Sequence, residues 1–465
     1  MDQHAEPHYF GRVTSLDHPQ LSGLGRNPAA PEDVLIRLTA HEAGRHGVTQ
    51  RRGRFSDAVA EALLTHGGGD SAVSLHGDRI SPAMRQRIAE HPDPAVRSAH
   101  GDFIRHMVDR EVEIGIDLLE GLYGRPRASL AGASDPKLRA AIARAWHDRP
   151  MAVQEGLLAD PDPRVRAAAT LQKQPGVPPE WADRCLADPA TQINVARYLP
   201  LTMGQFTALM EIEKAEVKQA VAYNPHLSAA MVARLLDIDD PLVRVAVAQS
   251  RHVDDETRNR LYALVEAEHA EGSFAAKVAL HWYFGEPLWL CELPLDERMA
   301  YLDCPHAVFR RVLASCSDLP EEAWRRLDND PVVSVRRAAA RRPDTPPEVL
   351  ERLVRDHGDV VNIAPGLVEH PNFPRHRLRT FIDEPNPRVR YSALADPELP
   401  VAALQRLAAD AEDSVRRGAA RHPNITDALL EQLLSDPDPN VVDDAAANPV
   451  LHPTWMYRIL NDADL

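Results

Sequence analysis

The chain is poor in aromatic side chains, at 5% of 465 residues, and its basic residues are almost all arginine. Its four cysteines, Cys185, Cys291, Cys304 and Cys316, lie far apart and none belongs to a C-x-x-C pair. That spacing indicates neither a zinc ribbon nor a disulfide framework; it is expected of separate thiols in a reducing cytoplasm. No apolar run approaches the roughly 20 residues of a membrane span. The opening residues MDQHAEPHYFGR lack a basic segment followed by an apolar one, so no signal peptide is expected either. A net charge of -16 and few lysines argue against a surface built to neutralise phosphates. The H-E-x-x-H spacing of a helical zinc site, the nucleophile elbow and the kinase signatures are also missing. Gly67–Asp70 is glycine-rich but has no Lys-Ser/Thr after it, and is expected to be a loop between repeats. These absences predict no cofactor, no metal and no enzymatic activity.

What the chain has is alanine, leucine and proline. Hydrophobic residues make up 44% and there are 39 prolines. Small aliphatic cores suit packed helices, and so many prolines are compatible with helices only if each marks a start or a loop. The stretch ADPDPRVRAAAT, residues 159–170, shows how. Similar segments recur around Val96, Leu138, Val243, Val335, Val389, Val415 and Val441, with fainter copies near Val73, Ile193, Val217, Val308 and Val361. Most anchors are 23 to 28 residues apart. That length suits one helix of about three turns, a tight turn and a second short helix. Within TPPEVLERLVRD, Thr345 and Glu348 have capping-box spacing, Pro346 suits a first helical position, and Val349, Leu350, Leu353 and Val354 form an apolar stripe.

Asp160 and Asp162 pose the question of chemistry or punctuation. A calcium loop would need a glycine and a late glutamate, and here Pro163 and Arg164 follow. One aspartate is expected to cap the second helix, and the arginine after each anchor to reach a carboxylate, repeat after repeat, as a ladder. Three residues past the anchor the side chain is small: Ala141, Ala168, Ala220, Ala246, Ala338, Ala364, Ser392, Gly418. His370 and His422, each before a proline, are expected as surface or turn residues.

The segments LADPDPRVRAAA, AVAYNP and LPEEAWRRLDNDP resemble the leucine-rich repeat variant, a helical repeat akin to HEAT repeats. The resemblance covers roughly residues 27 to 460. It implies an all-α fold, a right-handed α-solenoid of repeats about 24–28 residues long. One type in that family carries an iron–sulfur cluster on cysteines ahead of the repeats. Here the first cysteine is Cys185, inside the array, so no cluster is carried over.

The rhythm stretches between Gly101 and Gly132 and dissolves from about Asp254 to Met299; the expected domains are a segment 1–26, a solenoid 27–262, an irregular aromatic-rich joint 263–300, and a solenoid 301–465 closed by the cap HPTWMYRILNDADL. In the joint, Trp282, Tyr283 and Trp289 either fill a core or line a groove. On the second helix, positions +2 and +6 from the anchor lie opposite the core. They change from copy to copy, and Tyr223, Gln249, Arg337, Arg341, Tyr391, Arg417 and Arg421 are the candidate partner-binding residues. The function this predicts is a non-enzymatic, cytoplasmic scaffold that offers a concave surface to a protein or peptide, an acidic one where the arginines cluster. The alternative is nucleic-acid binding or base-excision repair in a locally basic groove, as in HEAT-like DNA glycosylases.

Overall fold

The computed structural model describes residues 17–72, 74–75, 79–97, 108, 114–171, 175–281, 286–359 and 366–465. These residues form short helices joined by turns, without a strand among them. The fold is an α-solenoid repeat. Its packing separates two units, residues 104–339 and residues 1–103 together with 340–465. The grouping therefore differs from a division at 263–300: that segment lies inside the first unit, and the second joins both ends of the chain.

The repeat is built as its sequence dictates. In Pro163–Thr170, Asp162 caps the helix by accepting from the Arg164 N–H at 2.9 Å, and Pro163 occupies the first turn, where an N–H would have no partner. Val165, Ala168 and Ala169 are fully buried, and the alanines let neighbouring helices close up. Asp160 does a different job. Its Oδ1 accepts from the Asp162 N–H at 2.9 Å, fixing the turn, while both its oxygens receive the guanidinium of Arg139 from the preceding repeat.

That arrangement recurs as the expected ladder. Arg166 reaches Asp188, Arg310 reaches Asp330, Arg390 reaches Asp410 and Arg416 reaches Asp436, with Nε–Oδ2 distances of 2.5–2.8 Å. Each arginine also bonds its own turn: Arg416 Nη1 donates to the carbonyls of Asp410 and Ala411 at 2.9 and 3.1 Å. One side chain thus ties two turns together with bidentate, largely desolvated geometry. The expected anchor Val308 is shifted by one residue. Phe309 is the fully buried side chain there, and Arg310 follows it as the rung. The anchors Val73 and Val361, and Ala364, lie outside the described residues.

His370 and His422, expected as surface or turn residues, lie in turns but form the rungs of a second ladder rather than a surface. His422 is buried, with Nε2 2.8 Å from the Asp396 carbonyl and Nδ1 accepting from the Asn424 N–H. His370 repeats this on the Arg342 carbonyl at 3.0 Å. Asn224 and Asn448 fill the same slot and donate to carbonyls of the preceding repeat, Ala196 and Ala420, at 2.7 Å. All four precede a proline, which leaves the loop carbonyls without helical partners; a side chain with both donor and acceptor supplies them. Two further local expectations change. Thr345 does not cap: its hydroxyl is buried on the carbonyls of Ala340 and Arg342, and the helix is Pro347–His357. Gly67–Asp70 lies within the helical stretch Asp57–Ala72, which breaks at Gly68, where φ is 50°.

In the second unit the chain ends meet. The helix Pro19–Arg26 packs between Pro439–Ala446 and Glu42–Thr49. Asn27 donates to the carbonyls of Ala446 and Asn448 at 3.0 and 2.7 Å, and its Oδ1 accepts from the Ala29 N–H. This is the slot of Asn448, one repeat further on. Glycines permit the approach: a Cβ on Gly23 would lie 2.1 Å from the Asp443 carbonyl oxygen, and one on Gly47 2.0 Å from that of Ser22. The helix Pro453–Asp462, expected as the terminal cap, is itself packed on Glu32–Leu38, and Tyr457 donates to Asp33 at 2.9 Å. Residues 19–26, expected to precede the array, are part of it.

Candidate binding groove

Within residues 104–339 lies a groove of about 250 Å³. Tyr223 and Gln249, each just past the C-terminus of a second helix, line it as the stripe predicts. The structure adds Tyr262, Glu266, His306 and Arg311. Tyr262 and Glu266 sit on Asp255–Ala270, a 16-residue helix longer than any repeat helix expected from the sequence.

Tyr262 and His306 stack, with ring centroids 3.9 Å apart and planes at 21°. Gln249 Nε2 lies 3.5 Å from the Tyr262 hydroxyl, and the Gln249 carbonyl accepts from Trp289 Nε1 at 2.8 Å. Burial pushes the Tyr262 phenol up to about 12 and raises that of Tyr223 as well, so both stay protonated and can donate as well as accept. Arg311 pairs with Glu286 at 3.0 Å at the edge. The groove thus combines aromatic rings, neutral hydrogen-bonding tips, one guanidinium and the exposed carboxylate of Glu266.

His306 carries a pH dependence. Burial, then the charges of Arg258 and Arg310 against Asp255, lower its pKa to about 4. Its Nε2 lies 2.8 Å from Asn259 Oδ1, and Tyr262 covers its ring face. The folded pKa lies below the unfolded value near 6.5, so between them the unfolded chain binds more protons. Folding stability is therefore expected to fall as pH drops from about 6.5 to about 4, and His306→Gln to flatten that slope. Urea midpoints measured across this range check it; equal slopes in the two proteins would refute the assignment.

The remaining stripe residues separate. Arg337 is half-buried in Val333–Ala339, and Arg341 is exposed just beyond it. The ring of Tyr391 lies over Gly418, where a Cβ would come within 2.9 Å of it. Arg417 and Arg421 both pair with the buried Asp444 at 2.9 Å. Trp289 stands edge-on to Tyr301 and Phe309, behind the groove, whereas Trp282 and Tyr283 lie outside the described residues.

Asp162 is held at about 2 by hydrogen bonds from the Arg164 side chain and backbone. A carboxylate so fixed serves as a cap, far from the range of a general acid at neutral pH. Among the described residues, no group of three or more His, Cys, Asp or Glu side chains is placed to hold a metal. No helix there is long and apolar enough to cross a membrane. Cys291 and Cys316, expected as separate thiols, form a disulfide; their separation of 25 residues is one repeat, so stacking brings them together. Cys185 and Cys304 are free.

The leucine rich repeat variant family matches the chain at residues 334–357. That stretch spans nearly all of the helix Val333–Ala339 and the whole of the next repeat's first helix, Pro347–His357. No curated protein matches the chain.

Proposed function

We propose that this helical repeat protein, which carries the leucine-rich repeat variant at residues 334–357, is a non-enzymatic scaffold that binds a segment of a partner protein in the Tyr223–Arg311 groove. The observation that supports it is the groove's construction. Tyr223 and Gln249 hold the same position in two successive repeats, each six residues past a fully buried anchor, Val217 and Val243, while His306 joins them from the turn before the buried Phe309. Packing positions repeat and lining positions vary, as a recognition surface on a fixed frame requires. Ring faces with polar tips are the side chains on which interface energy concentrates.

Nucleic acid is the weaker reading. The groove offers one guanidinium, and a phosphate backbone needs several. A cytoplasmic placement is not part of the proposal, because the Cys291–Cys316 disulfide fits an oxidising surrounding better. The test is affinity capture from the native cell, with crosslinking from Glu266, an exposed groove residue. Tyr223→Ala with Gln249→Ala is expected to weaken the captured partner by about 2 kcal/mol, roughly 30-fold. Unchanged recovery by a folded double variant would sink the reading.

A further inference from the structure

The stacked chain ends create a second feature that belongs to neither end alone. Asn27 and His422 occupy the same slot of the buried ladder, two repeats apart. The residues just before them, Arg26 and Arg421, are therefore equivalent, and Arg421 belongs to the stripe expected to meet a partner. Arg417, one turn earlier, joins them. Beneath lie two aspartates: Arg26 pairs with Asp443, and Arg417 and Arg421 share Asp444.

The burial of the five side chains is unequal. Asp443 and Asp444 are 12% and 3% exposed, whereas Arg26, Arg417 and Arg421 are 28%, 35% and 53% exposed. Three guanidiniums stand over two carboxylates, and solvent meets almost only the guanidiniums. Arg417 spends its Nε and Arg421 one Nη on Asp444, leaving further N–H donors on half-exposed groups. Burial lowers the pKa of Arg26; Asp444 opposes that fall, and Arg421 and Arg417 add to it. A chain of net charge -16 thus presents a positive surface where its two ends join.

We infer that Arg26, Arg417 and Arg421 form a composite docking site for a carboxylate-rich segment of a protein partner, complete only while the N-terminal helices are seated on Pro439–Ala446. An incoming carboxylate supplies the missing negative charge and takes up donors that Asp444 leaves free. The underlying aspartates hold the guanidiniums in place, so little side-chain freedom is lost on binding. The inference rests on the scaffold reading only in making the ligand a protein segment; the site itself is remote in sequence from the groove.

The experiment measures fluorescence anisotropy of a labelled Glu-rich peptide with the full-length protein at low and physiological salt. A Gln-rich counterpart and a single-stranded oligonucleotide of equal charge are the comparisons. Arg26→Ala and Arg421→Ala are each expected to weaken the Glu-rich peptide about tenfold, and Arg26→Lys less. Gly23→Val keeps all three arginines but unseats the helix that carries Arg26, and is expected to match Arg26→Ala. The site is overturned if the Glu-rich peptide does not bind at low salt, or if Arg26→Ala binds like the parent. Equal binding of the Gln-rich peptide or the oligonucleotide overturns the assignment to acidic protein. The groove variant Tyr223→Ala with Gln249→Ala should leave this binding unchanged, so either reading can fail without the other.

Discussion

Gly23→Val destabilises residues 1–103 with 340–465 by about 3 kcal/mol, the upper range for forcing extra methylenes into a packed contact. The cause is steric and local. A Cβ at position 23 would sit 2.1 Å from the Asp443 carbonyl oxygen and 2.8 Å from the Ala446 Cβ, and neither is the free end of a flexible chain. The helix Pro19–Arg26 cannot shift away, because Glu42–Thr49 holds its other side, with Gly47 already against Ser22. Relief comes only by leaving Pro439–Ala446, which also breaks the bonds from Asn27 to Ala446 and Asn448. Hydrogen exchange should show amides of 441–446 losing protection while those of 104–339 keep theirs. Gly156→Ala is the matched control, since a Cβ there meets nothing within 4 Å; in a helix interior it should gain up to about 1 kcal/mol. Undiminished protection at 441–446 in Gly23→Val would mean that the chain ends do not pack in solution.

Arg310→Ala is expected to cost about 3–5 kcal/mol, the range for stranding one member of a buried ion pair. Arg310 and Asp330 are both nine-tenths or more buried, at Nε–Oδ2 2.6 Å, and Arg310 also bonds the Cys304 carbonyl. Losing the guanidinium leaves a charged carboxylate that, among the described residues, keeps the Val332 N–H. Arg310→Met with Asp330→Asn should recover most of the loss, because the amide oxygen can still accept from Val332 and no charge is stranded. Urea unfolding of Arg310→Met, Asp330→Asn and the double variant gives the coupling. Arg326→Ala, whose partner Asp303 is mostly exposed, should stay within about 0.5 kcal/mol. If Arg310→Ala falls in that same range, the ladder is decoration.

Much of this was legible. The Val-Arg-x-Ala-Ala core announced both the helix face and the rung, since an arginine recurring beside a buried anchor must meet a carboxylate that recurs too. The helix Pro19–Arg26 was not legible, because it carries glycines where other copies have alanine and no Asp-Pro turn before it. Only Asn27-Pro28, matching Asn448-Pro449, signalled the register. Phe309 is not legible as an anchor because the other anchors are all aliphatic. The groove was half visible: Tyr223 and Gln249 lie on the stripe, whereas Tyr262 rides on the helix that interrupts the repeat, and His306 sits in a turn. Their meeting depends on packing that periodicity does not encode. Cys291 and Cys316 looked unrelated until the repeat length of their separation became a contact.

The docking of the first helix on the last repeats also sets an order of events in time. Arg26 and Asp443 are 417 residues apart, and Arg37 bonds the carbonyl of Leu465. At ribosomal speeds of roughly 5–20 residues per second, the N-terminal helices wait about 20–80 s for the surface they pack on. Through that interval residues 104–339, whose contacts are between neighbours in sequence, can already close up. The helix Pro19–Arg26, made long before its partner, is thus among the last segments to find its place, and its glycine-lined face must stay unengaged until Pro439–Ala446 has left the ribosome.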